Sequence, residues 1–368
     1  MAKGYLIGDI HLGLHQLNLD KWLDIHRMYF YDFLIPYLKE NYKKGDKIFI
    51  LGDLFDNRTQ LQHKITSFTL DLFNYLEENE YDVLIIGGNH DYFNNWDSEH
   101  TPLRILEKHK NVELFNKPSV YTFNNKKILL LPWDKHETQL KEMKKWAGKV
   151  DYLFTHSDLR GAKTGIKNTL MVGNTIADYV GFPKVYASHI HIYQQLENFK
   201  FLGSPFHMDR NDKGNKKGLT IIDFDNDTDI FIPNNITPEF KTLEIVNEND
   251  LEKLDTIINS ESNESKKDDF IDIVINNSVL LNSKEAKRKI EEISKTKNIS
   301  AIKYVDDTSV DNGIENINLE DIGMNISTED LIREYVKNQQ VESELKNKFL
   351  LILEDTIKIC KNNNSDEI

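Results

Sequence analysis

The chain has 368 residues, 39% hydrophobic and 29% charged, which allows two or three domains and excludes wholesale disorder. No run of about 18 apolar residues occurs, so no transmembrane helix is expected, and the opening MAKGYLIGDIH is not a signal peptide. The net charge of −14 speaks against a nucleic-acid partner. Its placement weakens that argument: residues 1–240 carry 29 Lys+Arg against 32 Asp+Glu, and residues 241–368 carry 17 against 28. Bound divalent cations would make the first part more positive. The single cysteine, Cys360, excludes an internal disulfide and a Cys-based zinc site, and a cytoplasmic chain is expected.

In chain order, short Ile- and Leu-rich runs at Tyr5–Ile7, Ile48–Leu51 and Val83–Ile86 each end in Gly plus a polar cluster. Amphipathic stretches at 20–40 and 60–79 separate them. This β-α-β-α-β order predicts a sheet with helices on its faces. Further strands are expected at 112–115, 119–123, 127–132, 151–155, 185–188, 199–202 and 218–224, in a mixed or hairpin-rich arrangement. All twelve histidines lie between His11 and His207, and the last proline is Pro238, which marks a boundary near 238. A small α/β domain is expected over 239–305. Its strands are Leu243–Val246 and Phe270–Ile275, its helices 249–259 and 283–295, and Ser260–Asp269 is a polar connection. An acidic linker at 306–326 and a helix at 327–360 complete the expected organisation.

Five clusters follow predicted strands: Asp9-Ile10-His11, Gly52-Asp53-Leu54-Phe55-Asp56, Gly88-Asn89-His90-Asp91, Thr155-His156 and His189-Ile190-His191. Each alone is weak. Together they are not, because the i, i+2 spacing of the first and last points both side chains to one face in extended backbone. Strand carboxyl ends are also where open α/β sheets place their sites. The donor set of two carboxylates, one amide oxygen and four imidazoles suits Mn²⁺, Fe²⁺ or Zn²⁺ rather than Ca²⁺. Seven donors are too many for one ion and suit two sharing a carboxylate.

The order D-x-H, G-D-x-x-D, G-N-H-D, H, H-x-H resembles that of the calcineurin-like metallophosphoesterases over roughly residues 1–235. Within that superfamily, Gly52-Asp53-Leu54-Phe55-Asp56, Leu202-Gly203-Ser204-Pro205 and the small second domain resemble the SbcD-type double-strand-break-repair nucleases. Length and composition look most like the recombination endonuclease subunits of T-even-like phages, which would place the chain in a host cytoplasm. The resemblance implies an α/β (α+β) fold, a metallophosphoesterase β-sandwich flanked by helices, with a small α/β cap domain and a C-terminal helix. It implies two divalent ions, Mn²⁺ first, with Mg²⁺, Fe²⁺ or Zn²⁺ as alternatives. Asp9, His11, Asp53 and His191 resemble the first metal's ligands; Asp53, Asn89, His156 and His189 resemble the second's. The positions before the fifth and sixth ligands, often Gly in the family, are Thr155 and Ser188.

The activity so implied is two-metal DNA phosphodiester hydrolysis, exonucleolytic, endonucleolytic or both. His90 is expected to stabilise or protonate the departing oxygen and Asp91 to orient it. Arg58, Lys163, Lys167, Arg210, Lys213, Lys216 and Lys217 are candidate contacts to the DNA backbone. The expected partners are DNA, an SMC-like ATPase resembling SbcC docked by residues 327–360, and a second copy of the chain; no membrane is expected. The ATPase would meet a stripe of Val341, Leu345, Phe349 and Leu353. The dimer surface would lie around 60–79 and 101–109, through Phe68, Leu72 and Leu106. The competing reading is a metal-dependent phosphatase or small-molecule phosphodiesterase on the same scaffold. Asn57-Arg58 stands where protein phosphatases of the superfamily carry Arg-Gly and counts against the phosphatase.

Overall fold

The computed structural model describes residues 2–15, 18–94, 96–165, 168–253, 269–276, 283–293 and 299–305, all within one compact unit, Met1–Ser309. The expected linker at 306–326, the helix at 327–360, Lys167 and most of 249–268 lie outside the described residues.

The first strands in the chain are β1 (Lys3–Ile7), β2 (Lys47–Leu51), β3 (Val83–Ile86), β4 (Val112–Phe115), β5 (Ser119–Phe123), β6 (Lys126–Leu131), β7 (Tyr152–His156) and β8 (Lys184–Ser188). They are followed by β9 (Gln194–Leu196), β10 (Phe199–Phe201), β11 (Gly218–Asp223), β12 (Thr228–Pro233), β13 (Phe240–Ile245), β14 (Phe270–Asn276) and β15 (Ile299–Val305). Two six-stranded sheets result, ordered β12-β11-β1-β2-β3-β4 and β5-β6-β7-β8-β10-β9, with β13-β14-β15 as a third sheet. Strands β1 to β4 are parallel, as are β6, β7 and β8. The fold is the expected α/β sandwich.

The apolar runs of β2 and β3 are buried along their whole length, as strands covered on both faces must be. Alternation then divides each strand between two cores. Leu6, Phe49, Leu51, Leu84 and Ile86 face Ile128, Leu130, Phe154 and Tyr186 across the sandwich. Tyr5, Ile7, Ile48, Ile50, Val83 and Ile85 face outward. They pack on α1 (Leu19–Arg27), α2 (Ile35–Asn41) and α3 (His63–Glu78). The second sheet's outer face, with Leu129, Leu153 and Val185, is covered by Met143 of α4 (His136–Trp146) and by Leu159, Tyr179 and Phe182.

Several expectations are corrected. The stretch 20–40 is helical throughout, as expected, but not uniform: a wider π-helical stretch, Met28–Leu34, lies between α1 and α2. Pro36 has no N–H to give the preceding turn, and its ring crowds the carbonyl four residues back. α4 was not expected because HETQLKEMKKW buries only Gln139 and Met143, too little for a helical stripe to show. β12, an edge strand with no buried residue, lacked an apolar face in the same way. Phe68, Leu72 and Leu106 are 5%, 1% and 0% exposed. They belong to the first core, so they do not form the expected dimer surface.

The third sheet carries its own small core of Ile245, Leu251, Ile273, Ile275, Ala286 and Ile290, the last two from α5 (Lys284–Ile293). Aromatic stacking joins it to the first core: Phe240 on Phe270 at 4.5 Å, and Phe270 on Trp22 at 5.6 Å. The buried Asp272 carboxylate accepts from Arg210 Nε at 2.8 Å and Lys213 Nζ at 2.6 Å. Among the described residues no helix is long and apolar enough to cross a membrane.

Phe154 sits between Phe49 and Tyr186 at ring distances of 5.2 and 5.8 Å. Phe154→Ala is expected to lower the unfolding free energy by about 3–5 kcal/mol, read from denaturant titration.

Candidate metal centre

Strand register sets the position of the centre. Ile7 lies beside Ile50, Leu51 beside Ile86, and His156 beside Ser188, so the carboxyl ends of β1, β2, β3, β7 and β8 finish together. The chain then turns sharply at each functional residue. Asp9, His11, Asp53 and His189 all have positive φ, at 51°, 50°, 53° and 99°. Non-glycine residues pay of order 1–3 kcal/mol for such backbone, which persists only where the surroundings enforce it. Here the loops after β1 and β2 are laced together: His11 N–H donates to the Asp53 carbonyl at 2.9 Å and Leu12 N–H to the Leu54 carbonyl at 2.8 Å. Gly88 leaves the necessary room, since a Cβ there would stand 2.2 Å from Asp53 Oδ1 and 2.4 Å from its backbone nitrogen.

The side chains converge. Three overlapping groups bring donor atoms within 4.8 Å of one another: Asp9, His11 and His191; His11, Asp53 and His90; and Asp53, His156 and His189. Asp53 belongs to two of them. Its Oδ2 lies 3.3 Å from His156 Nε2 and 3.6 Å from His11 Nε2, and its Oδ1 accepts from His90 N–H at 2.8 Å. The backbone N–H of His189 donates to the Asp9 carboxylate at 2.9 Å.

The donor chemistry fits cations. His156 Nδ1 pairs with the Leu51 carbonyl at 2.9 Å and His90 Nδ1 with the Asp56 carbonyl at 2.7 Å. His189 Nε2 pairs with the Asp158 carboxylate at 2.8 Å. The outward nitrogens are thereby taken up, so the inward nitrogens of His156 and His189 are the ones available to a cation once unprotonated, the usual arrangement of ligating histidines. Donor atoms crowd one another: His11 Nε2 and His191 Nε2 are 3.2 Å apart. Asn89 Oδ1 lies 2.9 Å from His156 Nε2 and 3.0 Å from His189 Nδ1. A cation relieves that crowding. The same amide turned over would donate to both imidazoles and accept from Arg58 Nη2 at 3.1 Å.

Without a cation, protons and carboxylates balance the charge. Burial works to lower His156, but the adjoining Asp53 carboxylate outweighs it and lifts the imidazole to about 9. Burial would raise Asp53, yet His156 and His11 hold it well below the usual carboxylate range. Burial brings His191 down to about 4 and also lowers His90.

The chain is similar to known proteins. Residues 4–193 match the calcineurin-like phosphoesterase family. The chain belongs to that family. It is 26% identical over 237 residues to exonuclease subunit 1 of Enterobacteria phage T4, across 63% of this chain and 67% of that protein. A solved archaeal phosphodiesterase superposes loosely, with a TM-score of 0.32 and 9% identity, over 63% of this chain and 99% of its own. As a calcineurin-like phosphoesterase the chain is a metal-dependent hydrolase of phosphate esters, and its family uses divalent cations.

Around the phosphoesterase centre, several expected roles change. The Asp91 side chain turns away from His90. Fully buried, it accepts backbone N–H groups from Gly88 at 3.0 Å, Phe55 at 3.1 Å and Leu54 at 3.3 Å. Burial, with Asp53 nearby, raises it to about 7. Asp91 thus ties the β2 and β3 turns together and does not orient His90; the carboxylate beside a histidine in sequence served the backbone. Lys217 is 4% exposed. Its ammonium donates to Asp212, to Ser204 Oγ at 2.6 Å and to the His191 carbonyl at 2.7 Å, so it anchors a ligand loop and cannot meet DNA. Arg210 and Lys213 are engaged by Asp272. Arg58 reaches the rim of the centre beside Asn89, while Lys163 and Lys216 are exposed.

Sequence reasoning missed Asp158, which fixes His189. The signal was the carboxylate two residues after His156 in His156-Ser157-Asp158. It also missed Trp133, whose ring stacks on His189 at 4.9 Å, and no motif marked that residue.

Lys217→Met leaves Asp212 charged and buried without its partner, and is expected to cost about 3–5 kcal/mol. Thermal and denaturant unfolding at neutral pH check this. Asp212 is held below the ordinary carboxylate range, so the wild-type advantage should be present above about pH 4 and be lost as pH falls through the depressed value.

Proposed function

We propose that this phosphoesterase is a two-metal DNA nuclease, the nuclease subunit of an SbcCD-like repair or recombination complex. The observation that carries the reading is the convergence of seven donors on a centre in which Asp53 is shared. On this reading Asp9, His11, Asp53 and His191 hold one ion, and Asp53, Asn89, His156 and His189 the other. Mn²⁺ is the first choice for this mixture of imidazole and oxygen donors. The T4 relative, named for its exonuclease activity, supports DNA as the substrate. An SMC-like ATPase and a second copy of the chain belong to the same proposal.

When bound, the ions would supply Lewis acidity and lower the pKa of an attacking water. The protein's own contribution is charge and geometry. Asp9 and Asp53 offset only half of the charge of two divalent ions. The remaining positive charge suits a phosphodiester and the extra negative charge of its in-line transition state. His90 stands edge-on to His11 at 4.8 Å with Nδ1 committed to the Asp56 carbonyl. Its Nε2 can give a proton to the departing oxygen only as imidazolium. Burial disfavours that form, and negative charge developing at phosphorus favours it.

His90→Ala is expected to reduce Mn²⁺-dependent digestion of end-labelled or circular DNA by about 10²–10⁴-fold while retaining bound metal. Asp53→Ala should lose both activity and metal by elemental analysis. Near wild-type turnover in His90→Ala, or two metals per chain in Asp53→Ala, would contradict these roles. Metal affinity should also depend on pH. With His156 lifted to about 9, the metal-free centre holds a proton at neutral pH that a metal must displace. Affinity of the His156 site should therefore rise about tenfold per pH unit from 7 toward 9, with one proton released as that site fills, measured by calorimetry in buffers of differing ionisation enthalpy.

A further inference from the structure

One group of aromatic side chains is used neither by the core nor by the metal ligands. The indole of Trp133, stacked on His189, is itself stacked on Trp96 with ring centres 5.6 Å apart and planes 10° apart. The series Trp96, Trp133, His189 therefore runs from the surface into the metal centre. Trp96 is 45% exposed and Phe93, three residues before it, is 56% exposed. Large aromatics so placed cost hydration unless something flat covers them. Phe93 opens onto a cleft of about 350 Å³ that also holds Arg58, His100 and Arg104. Arg58 also lies against the Asn89 amide, at the rim of the centre.

The geometry points to a base-stacking platform: the free face of Trp96 takes an unpaired nucleobase of the strand being cut. This rests on the nuclease reading above and specifies its substrate as a single-stranded segment or frayed end. Trp96 lies two ring-to-ring steps, of 5.6 and 4.9 Å, from a proposed metal ligand. At about 3.4 Å per nucleotide of stacked strand, a base on Trp96 sits two or three nucleotides from the scissile phosphate. Stacking on an exposed indole needs a base freed from its own helix. A duplex buries both faces of each internal base and cannot use the platform. Cationic side chains beside aromatic ones are the pattern by which proteins hold single strands without reading sequence.

The test uses the full chain with EDTA present to prevent cleavage. Its ligands are a duplex with an unpaired tail carrying 2-aminopurine and the matching blunt duplex. Wild-type protein should quench the tail's fluorescence and bind the tailed duplex more tightly than the blunt one. Trp96→Ala should abolish the quench and weaken tail binding about tenfold, with blunt-duplex binding changed far less; Trp96→Phe should restore most of the preference. With Mn²⁺ added, the ratio of tailed to blunt cleavage should fall in Trp96→Ala and recover in Trp96→Phe. A wild-type protein that cuts DNA but shows no quench, or a Trp96→Ala variant that binds both substrates as wild type does, overturns the platform alone. A wild-type protein that hydrolyses bis(p-nitrophenyl) phosphate yet neither binds nor cuts DNA overturns the nuclease reading and the platform with it.

Discussion

The Asp53 carboxylate is the fixed point of this molecule. It is buried, held in left-handed backbone, and shared by two of the three donor groups. Its neighbours on every side are set by other strands: His90 N–H from the β3 turn, His156 from β7, His11 from the β1 turn. None of these contacts is local. Each requires the two sheets to finish at the same level and the loops to turn within one or two residues. The continuous apolar runs of β2, β3 and β7 secure that alignment, because a slip of one residue would drive core side chains to the wrong face. Packing in the sandwich thus provides rigidity several ångströms away, where polar groups are crowded against their preference.

That crowding has a cost, and the surroundings counter it with hydrogen bonds rather than with relaxed backbone. The β1 and β2 turns are laced to each other, Asp91 gathers three amides between the β2 and β3 turns, and Lys217 grips the carbonyl of His191. Asp91 and Lys217 are ionisable groups that serve as internal struts. They stand among the residues that reason from sequence alone treats as reagents.

The contrast shows what could be read from the residues. Strand positions and the seven convergent donors were legible because each leaves a local signature: an apolar run, then a fixed short pattern of polar residues. Asp91 was misread because its partners are backbone groups, and Lys217 because its partners are scattered along the chain, one of them, the His191 carbonyl, 26 residues away. No spacing encodes such a contact. Phe68, Leu72 and Leu106 were placed outside because a helix wedged between a sheet and further helices buries more than one stripe. α4 and β12 were overlooked for the opposite reason, since each hides too little to show a period. Trp133 and Trp96 belong to no motif, and only the fold brings one against His189 and the other against it.

The topology has a consequence for how the centre comes into being. β1 leads into the first two functional residues, Asp9 and His11, yet one of its edges pairs with β11, with Leu6 opposite Thr220. Synthesis at about 5–20 residues per second separates those strands by ten seconds or more. Until then β1 offers an open edge, and in the first part of that interval the carboxylates Asp9 and Asp53 stand without the imidazoles of His156, His189 and His191. A nascent chain in that state has carboxylates to attract stray cations but no geometry to choose among them. Closure of β11 against β1 then completes the sheet and brings Lys217, one residue before that strand, to the last ligand loop. The seven donors all precede β11, so its closure adds the Lys217 brace to a centre whose donors have already been made.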